Sequence, residues 1–175
     1  GKTVSARDID PFCSTAIDNL VIPYGVKTIK SLGDYVESVT VDENNQYFSS
    51  QDGSLFNKDK TELIKFFDHE CEKYVVPDGV TSIADGAFKN MYSGYNLQEI
   101  TFPDSLKSIG DYAFYCCDVL SKIENLDNVE YIGEDAVTST QWYENQPDGM
   151  LYVGKTLLGY KGEMPKNTSV SVNEG

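Results

Sequence analysis

The chain is poor in several things that chemistry usually needs. It holds one histidine, His69, and one tryptophan, Trp142, and its 14 basic residues face 28 acidic ones, for a net charge of −14. Nucleic acid is excluded as a partner, because phosphates need a basic patch to replace their counterions. An anionic membrane surface is excluded on the same ground. No apolar run reaches the length of a membrane-spanning helix, so membrane insertion is not expected. The acidic balance reads as a solvated exterior, with a basic partner as the alternative. A lone histidine also leaves little for acid–base work. His69 and Cys71 are two apart, and a thiol needs a base beside it to act as a nucleophile. His69, however, stands in the polar stretch Asp68-His69-Glu70, whereas Cys71 holds a position expected to face inward. The four cysteines show no disulfide framework and no spacing for zinc. Cys71, Cys116 and Cys117 are read as structural residues, and Cys13 is unassigned. Neither Asp42-Glu43-Asn44-Asn45 nor the region of Asp148 has the alternating oxygens, central glycine and closing glutamate of a calcium loop. Both read as Asx-rich turns. No catalytic residue, metal or cofactor is assigned.

What the chain does have is a repeat. Val76-Pro77-Asp78-Gly79-Val80-Thr81-Ser82-Ile83 leads into Ala84-Asp85-Gly86-Ala87-Phe88. Phe102-Pro103-Asp104-Ser105-Leu106-Lys107-Ser108-Ile109 leads into Gly110-Asp111-Tyr112-Ala113-Phe114. A worn copy, Leu126-Asp127-Asn128-Val129-Glu130-Tyr131-Ile132, leads into Gly133-Glu134-Asp135-Ala136-Val137. The closing isoleucines are 26 and 23 residues apart. The three extra residues fall in 89–96, which reads as a loop. A second signature precedes the units: Ile17-x-x-Leu20-x-Ile22, Val36-x-x-Val39-x-Val41, Cys71-x-x-Tyr74-x-Val76, Leu97-x-x-Ile100-x-Phe102 and Leu120-x-x-Ile123. Alternating apolar residues at its end predict a short strand with one face inward. Where a proline follows, it ends the ladder, having no N–H to donate. A period of this length is the mark of a solenoid, whose units bury their apolar faces only against neighbours.

These motifs resemble the BspA-type leucine-rich repeats, a bacterial and protist branch of the leucine-rich repeat superfamily. The match is close over 71–137 and weaker in 1–70 and 138–175. The resemblance implies a mainly β, α/β-type repeat solenoid: a right-handed leucine-rich repeat superhelix with a parallel sheet and short helical turns after the Ile-Gly-Asp segments. It also implies an exported, bacterial protein at the cell surface or outside the cell, with a role in adhesion or host binding. Leucine-rich repeats often place at the Cys117 position a small residue that bonds to the turn backbone. Asn125 departs from the pattern, standing where Ile22, Val76 and Phe102 are apolar. Either the register slips by one and turns Leu126 inward, the preferred reading, or the asparagine side chain bonds to backbone.

Two stretches, about 42–67 and 142–162, read as β-hairpin insertions. In the first, strands at Asp52-Gly53-Ser54-Leu55-Phe56 and Thr61-Glu62-Leu63-Ile64-Lys65-Phe66 flank a polar turn. In the second, Asp148-Gly149-Met150-Leu151-Tyr152 and Thr156-Leu157-Leu158-Gly159-Tyr160 flank Val153-Gly154-Lys155. Ser171-Val172-Asn173-Glu174-Gly175 resembles the start of another unit, and no end cap is evident there. With Gly1-Lys2-Thr3 lacking both an initiating Met and a signal-peptide run, residues 1–175 read as one repeat domain taken from a longer chain. Asn167-Thr168-Ser169 is a glycosylation sequon only in a eukaryotic secretory path.

The expected function is non-enzymatic recognition of a protein or glycan, with neighbouring repeats of the full-length chain as further partners. The alternative is a structural spacer within a larger surface protein. The candidate face is the outward row of strand residues, Asn19, Ser38, Thr40, Lys73, Glu99, Thr101, Lys122 and Glu124, together with Val21 and Val75, which alternate with the buried positions. A second candidate set is aromatic. Phe66 and Phe67 are adjacent, so one of them, taken as Phe67, is expected outside. Tyr92, Tyr95, Trp142 and Tyr143 lie off the repeat-core positions, either as binding anchors or as covers for the loop edges.

Overall fold

The computed structural model describes residues 3–5, 17–30, 32, 36–89, 95–164 and 166. Cys13, Tyr92, the sequon at 167–169 and the segment 171–175 lie outside the described residues. In chain order the first strands are β1 (Thr3–Ser5), β2 (Asn19–Ile22), β3 (Val39–Val41), β4 (Phe48–Gln51), β5 (Ser54–Asn57) and β6 (Glu62–Phe66). The repeats supply β7 (Lys73–Val75), β8 (Ser82–Ile83), β9 (Glu99–Thr101), β10 (Ser108–Ile109), β11 (Lys122–Glu124) and β12 (Tyr131–Ile132). A short helix, α1 (Gln141–Glu144), precedes β13 (Gly149–Val153) and β14 (Thr156–Lys161). No described helix is long and apolar enough to cross a membrane.

The result is a β-solenoid with sheets on two sides, parallel between the coils and antiparallel only where β4 and β5 join. One side carries β1-β2-β3 and β7-β9-β11. The other is a six-stranded sheet in the order β12-β10-β8-β6-β5-β4. Ile83, Ile109 and Ile132 pair in one file across β8, β10 and β12. Each coil repeats the same interior. Val80, Leu106 and Val129 are fully buried, as are Ala87 and Ala113. The Phe88 and Phe114 rings stack at 4.8 Å with 16° between their planes. A single coil cannot bury these groups alone, so their burial stabilises the stack and not the unit.

The Pro-Asp-Gly segments are one-bond turns: Val80 N–H donates to Pro77 O at 3.3 Å and Leu106 N–H to Pro103 O at 3.1 Å. The segments after the isoleucines are turns as well, and a left-handed residue, Gly86, Tyr112 or Asp135, interrupts the short helical turns expected there. Their amides are used between coils: Gly86 and Phe88 N–H donate to Asp111 O and Ala113 O, both at 2.8 Å. Tyr112 and Phe114 N–H donate to Glu134 O and Ala136 O at 2.8 and 2.9 Å. A helix would need those donors for itself. Glycine at 110 and 133 has a specific cause. The Asp85 carboxylate reaches forward to the Asp111 N–H at 2.9 Å, and that of Asp111 to the Glu134 N–H at 2.8 Å. A Cβ on Gly110 would stand 2.6 Å from the Asp85 backbone nitrogen, and one on Gly133 would lie 2.6 Å from the Gly110 carbonyl carbon.

Several expectations are corrected here. Asn125 does not slip the register. Lys122, Ile123 and Glu124 pair in order with Glu99, Ile100 and Thr101. Asn125 takes a left-handed backbone (φ 64°) and its side chain donates to Phe102 O at 3.0 Å, while Leu126 still packs on the core. Residues 48–66 hold three strands instead of two. Asp52 (φ 47°) and Gly53 (φ 70°) are themselves a two-residue hairpin turn between β4 and β5. β6 then pairs in parallel with β8, so this hairpin is part of the second sheet. Phe66 and Phe67 do point opposite ways, but both are buried. Phe66 enters the repeat core, and Phe67 joins a second cluster with Ile17, Leu20, Ile22, Val36 and Leu55. The last described coil of the repeat packs against the chain that follows it. Val153 lies in the repeat core with Trp142 and Leu158 packed on it, and Trp142 N–H donates to Leu120 O at 2.7 Å.

Candidate binding faces

The strand-face candidates form two surface ladders. On the β1-β2-β3 side, Ser38 Oγ donates to Asn19 Oδ1 at 3.0 Å and Thr40 Oγ1 to the same atom at 3.2 Å. On β7-β9-β11, Lys73 Nζ donates to Glu99 Oε1 at 2.9 Å. Lys122 Nζ lies 3.8 Å from Glu99 Oε2 and 2.9 Å from Glu124 Oε1. Thr101 Oγ1 donates to Glu124 Oε2 at 3.1 Å. Val75 stands beside this row, 70% exposed. The hydrogen bond from Lys73 holds the Glu99 carboxyl below its ordinary range, and those from Lys122 and Thr101 do the same for Glu124. The bond to Glu124 raises the Lys122 ammonium in turn. Each of these exposed side chains is thus paired with a neighbour along the strand surface.

The aromatic set divides differently from the sequence reading. Phe67 is in the core and Tyr95 is 8% exposed, so neither is a surface anchor. Tyr95 packs edge-on to Phe66 and His69. Its hydroxyl has no partner among the described residues, and burial pushes it well above the usual tyrosine range. Trp142 and Tyr143 are half-buried on α1, which Thr140 caps by accepting the Tyr143 N–H at 3.1 Å. Trp142 seals the core, and Tyr143 carries the Lys161 ammonium 5.5 Å from its ring centre.

His69 and Cys71 have separate surroundings. His69 is half-buried against Tyr95, and burial, then Lys65, lowers its pKa. The Cys71 thiol donates to Lys73 O at 3.1 Å and is pushed up by burial and Asp68, the reverse of an activated nucleophile. It is only partly buried, but packs against the repeat core as its inward position predicts. Cys117 is buried and its thiol donates to Phe88 O at 3.2 Å, bonding the preceding coil's turn. Ser54 Oγ and Tyr74 Oη, 2.7 Å apart, are buried together, and burial raises Tyr74 to about 12. Asp42 Oδ1 accepts the Asn44 N–H at 2.9 Å, an Asx turn. Among the described residues no three His, Cys, Asp or Glu side chains converge as metal ligands.

One surface escapes the sequence reading. The outer face of the second sheet forms an open depression of about 850 Å3, with Ile64, Ser82, Ser108, Tyr112 and Tyr131 among its lining. Its strands β8, β10 and β12 are two residues long and look like turns in sequence. The available signal was the residue before each closing isoleucine, Ser82, Ser108 and Tyr131, which must face opposite to it.

Comparison with known proteins gives the following. A model of the BspA-type leucine-rich repeat region (6 copies) matches residues 62–150. A leucine-rich repeat protein from Eubacterium ventriosum is similar in structure at 29% identity and TM-score 0.59, over 67% of this chain and 32% of its own. The pneumococcal vaccine antigen PcpA is similar at 25% identity and TM-score 0.59, over 75% of this chain and 38% of its own. The chain thus spans about a third of the length of these two solved structures. No curated protein matches it.

Proposed function

The chain belongs to the BspA-type leucine-rich repeat family, and from that premise we propose that it is a recognition segment of an exported bacterial surface protein, binding a protein or glycan over an outer solenoid face without catalysing a reaction. The observation that carries this reading is the charged row Lys73, Glu99, Lys122 and Glu124 on β7-β9-β11. Exposed ion pairs contribute little to folding, about 0–1 kcal/mol at most. Folding alone therefore gives little reason for four long charged side chains held in register beside an exposed Val75. A row of alternating charge suits recognition, where complementarity sets partner choice and orientation. The similarity to a bacterial vaccine antigen agrees with display outside the cell.

The test is a charge-swapped protein, Lys73→Glu, Glu99→Lys, Lys122→Glu and Glu124→Lys. The 73–99, 99–122 and 122–124 pairings survive the swap while the sign at each position of the row is inverted. Capture of host surface proteins and binding on a glycan array should fall at least about tenfold, a loss of roughly 1.4 kcal/mol, with the circular dichroism spectrum unchanged. Undiminished binding by a folded swap protein would remove this face from the reading.

A further inference from the structure

The outward side chains of the two sheets are used differently. On β7-β9-β11 the polar groups are paired with one another. On the second sheet the register sets Glu62 beside Ser82, Ser82 beside Ser108, and Ser108 beside Tyr131. These four form one outward row over β6, β8, β10 and β12, each next in sequence to a buried residue, Leu63, Ile83, Ile109 or Ile132. Neighbouring strands lie about 4.7–4.9 Å apart, so the row is roughly 14 Å long. Among the described residues, none of these four side chains has a hydrogen-bond or ion-pair partner.

The row borders the open depression of the second sheet. Its volume, about 850 Å3, falls within the range of ligand sites, about 300–1,000 Å3. Ala84 and Gly110 also line it and carry little or no side chain, which gives it depth. At the β12 end stand two tyrosines, Tyr112 and Tyr131, 38% and 56% exposed. The Glu134 carboxylate accepts a hydrogen bond from the Tyr112 hydroxyl, whereas Tyr131 is uncommitted. The charges of the lining cancel: Glu62, Asp85 and Asp111 against Lys30, Lys65 and Lys89. Most of them are also engaged. Asp85 and Asp111 accept amides of the next coil. Lys65 Nζ donates to Gly86 O at 3.0 Å and Lys89 O at 3.2 Å, and the Lys89 ammonium lies 5.5 Å from the Tyr115 ring centre.

This make-up narrows the occupant. A polypeptide strand cannot add in the middle of the sheet, because β8 and β10 are each paired on both sides. A charged ligand meets no net charge to hold it. A protein partner needs a dry pocket for an apolar anchor, and this row is polar from end to end. What the row offers is two hydroxyls that both donate and accept, a carboxylate that accepts, and a phenol with an apolar ring. We propose that the depression binds a neutral oligosaccharide laid across the strands from Glu62 to Tyr131. The sugar hydroxyls bond to Glu62, Ser82 and Ser108, and a C–H face of one ring lies on Tyr131. Tyrosine and serine suit such a surface, since the ring gives contact area at little cost in entropy and the hydroxyl adapts. The site is separate from the charged row on β7-β9-β11 and does not depend on it.

The probes are chitotetraose, cellotetraose and maltotetraose, titrated into the intact protein and followed by amide NMR shifts. A heparin tetrasaccharide and a blocked tetra-alanine peptide serve as the charged and peptide comparisons. At least one neutral sugar should give saturable shifts at Ser82, Ser108 and Tyr131. Tyr131→Ala and Ser108→Val should each weaken its binding at least about tenfold. Tyr131 is exposed and valine suits a strand, so the circular dichroism spectrum of both should be unchanged. No shift with any of the three sugars, or shifts confined to other residues, overturns the proposal. So does tighter binding of the heparin fragment or the peptide, or native affinity in both variants. Both variants keep Lys73, Glu99, Lys122 and Glu124, so a failure here leaves the reading of that face untouched.

Discussion

The two sides of the solenoid stack the same coils at the same spacing but lock them differently. On β7-β9-β11, neighbours are joined outside the ladder by exposed side chains: Lys73 to Glu99, Glu99 to Lys122, Thr101 to Glu124, Asn125 to the Phe102 carbonyl. At the corner after β8, β10 and β12, the lock is backbone against backbone, with a carboxylate seated over a glycine. Long exposed side chains can be exchanged with little loss. A glycine pressed by a neighbouring main chain cannot. The first side is therefore the one on which sequence can change to suit a ligand without unstacking the coils, while the corner fixes the repeat.

The sharpest way to break this comparison is at the corner. Gly110→Ala should lose roughly 1–3 kcal/mol in urea unfolding, the usual range for overpacking, because the new methyl meets the Asp85 backbone and not a flexible side chain. Wild-type stability would show that the corner yields as easily as the ladder. A smaller effect is expected at Asn125, where the backbone is left-handed. Asn125→Ala should lose about 1–2 kcal/mol, since it loses the Phe102 bond and keeps a Cβ that disfavours this conformation, whereas Asn125→Gly loses the same bond but leaves the backbone at ease. Urea midpoints in the order native, Gly, Ala would support this, and Ala above Gly would contradict it. The least change belongs to the charged row. Glu99 and Glu124 ionise below the ordinary glutamate value of 4.5 in the folded chain. Their contribution is present above the unfolded value and is lost as pH falls through the folded one. Glu99→Gln should thus leave the melting temperature at neutral pH almost unmoved and reduce its fall in acid below about pH 4.5. An unchanged acid slope would show that the row is idle.

The repeats were legible because their signals are local and periodic. The file of Ile83, Ile109 and Ile132 and the outward row on β7, β9 and β11 follow from period and alternation alone. The misses share a cause: distant chain covers what local pattern leaves open. Phe67 looks exposed beside Phe66 until Ile17, Leu20 and Val36 close over it. Tyr95 sits in a loop by sequence, yet its ring turns in against Phe66. Asn125 breaks the apolar pattern because its amide replaces packing with one bond to the neighbouring coil. The depression on the second sheet was hidden because a two-residue strand leaves almost no periodic trace.

The carboxylates of Asp85 and Asp111 grip only the coil that comes after them. The stack consequently has a sense, like a zip whose teeth all lean one way. One course could be lifted out whole, from Ala84 through Ile109, and the cut ends would meet with Ile83 handing on to Gly110 as Ile109 does now. Such a molecule can lengthen or shorten over evolutionary time by entire turns, with every new joint already shaped.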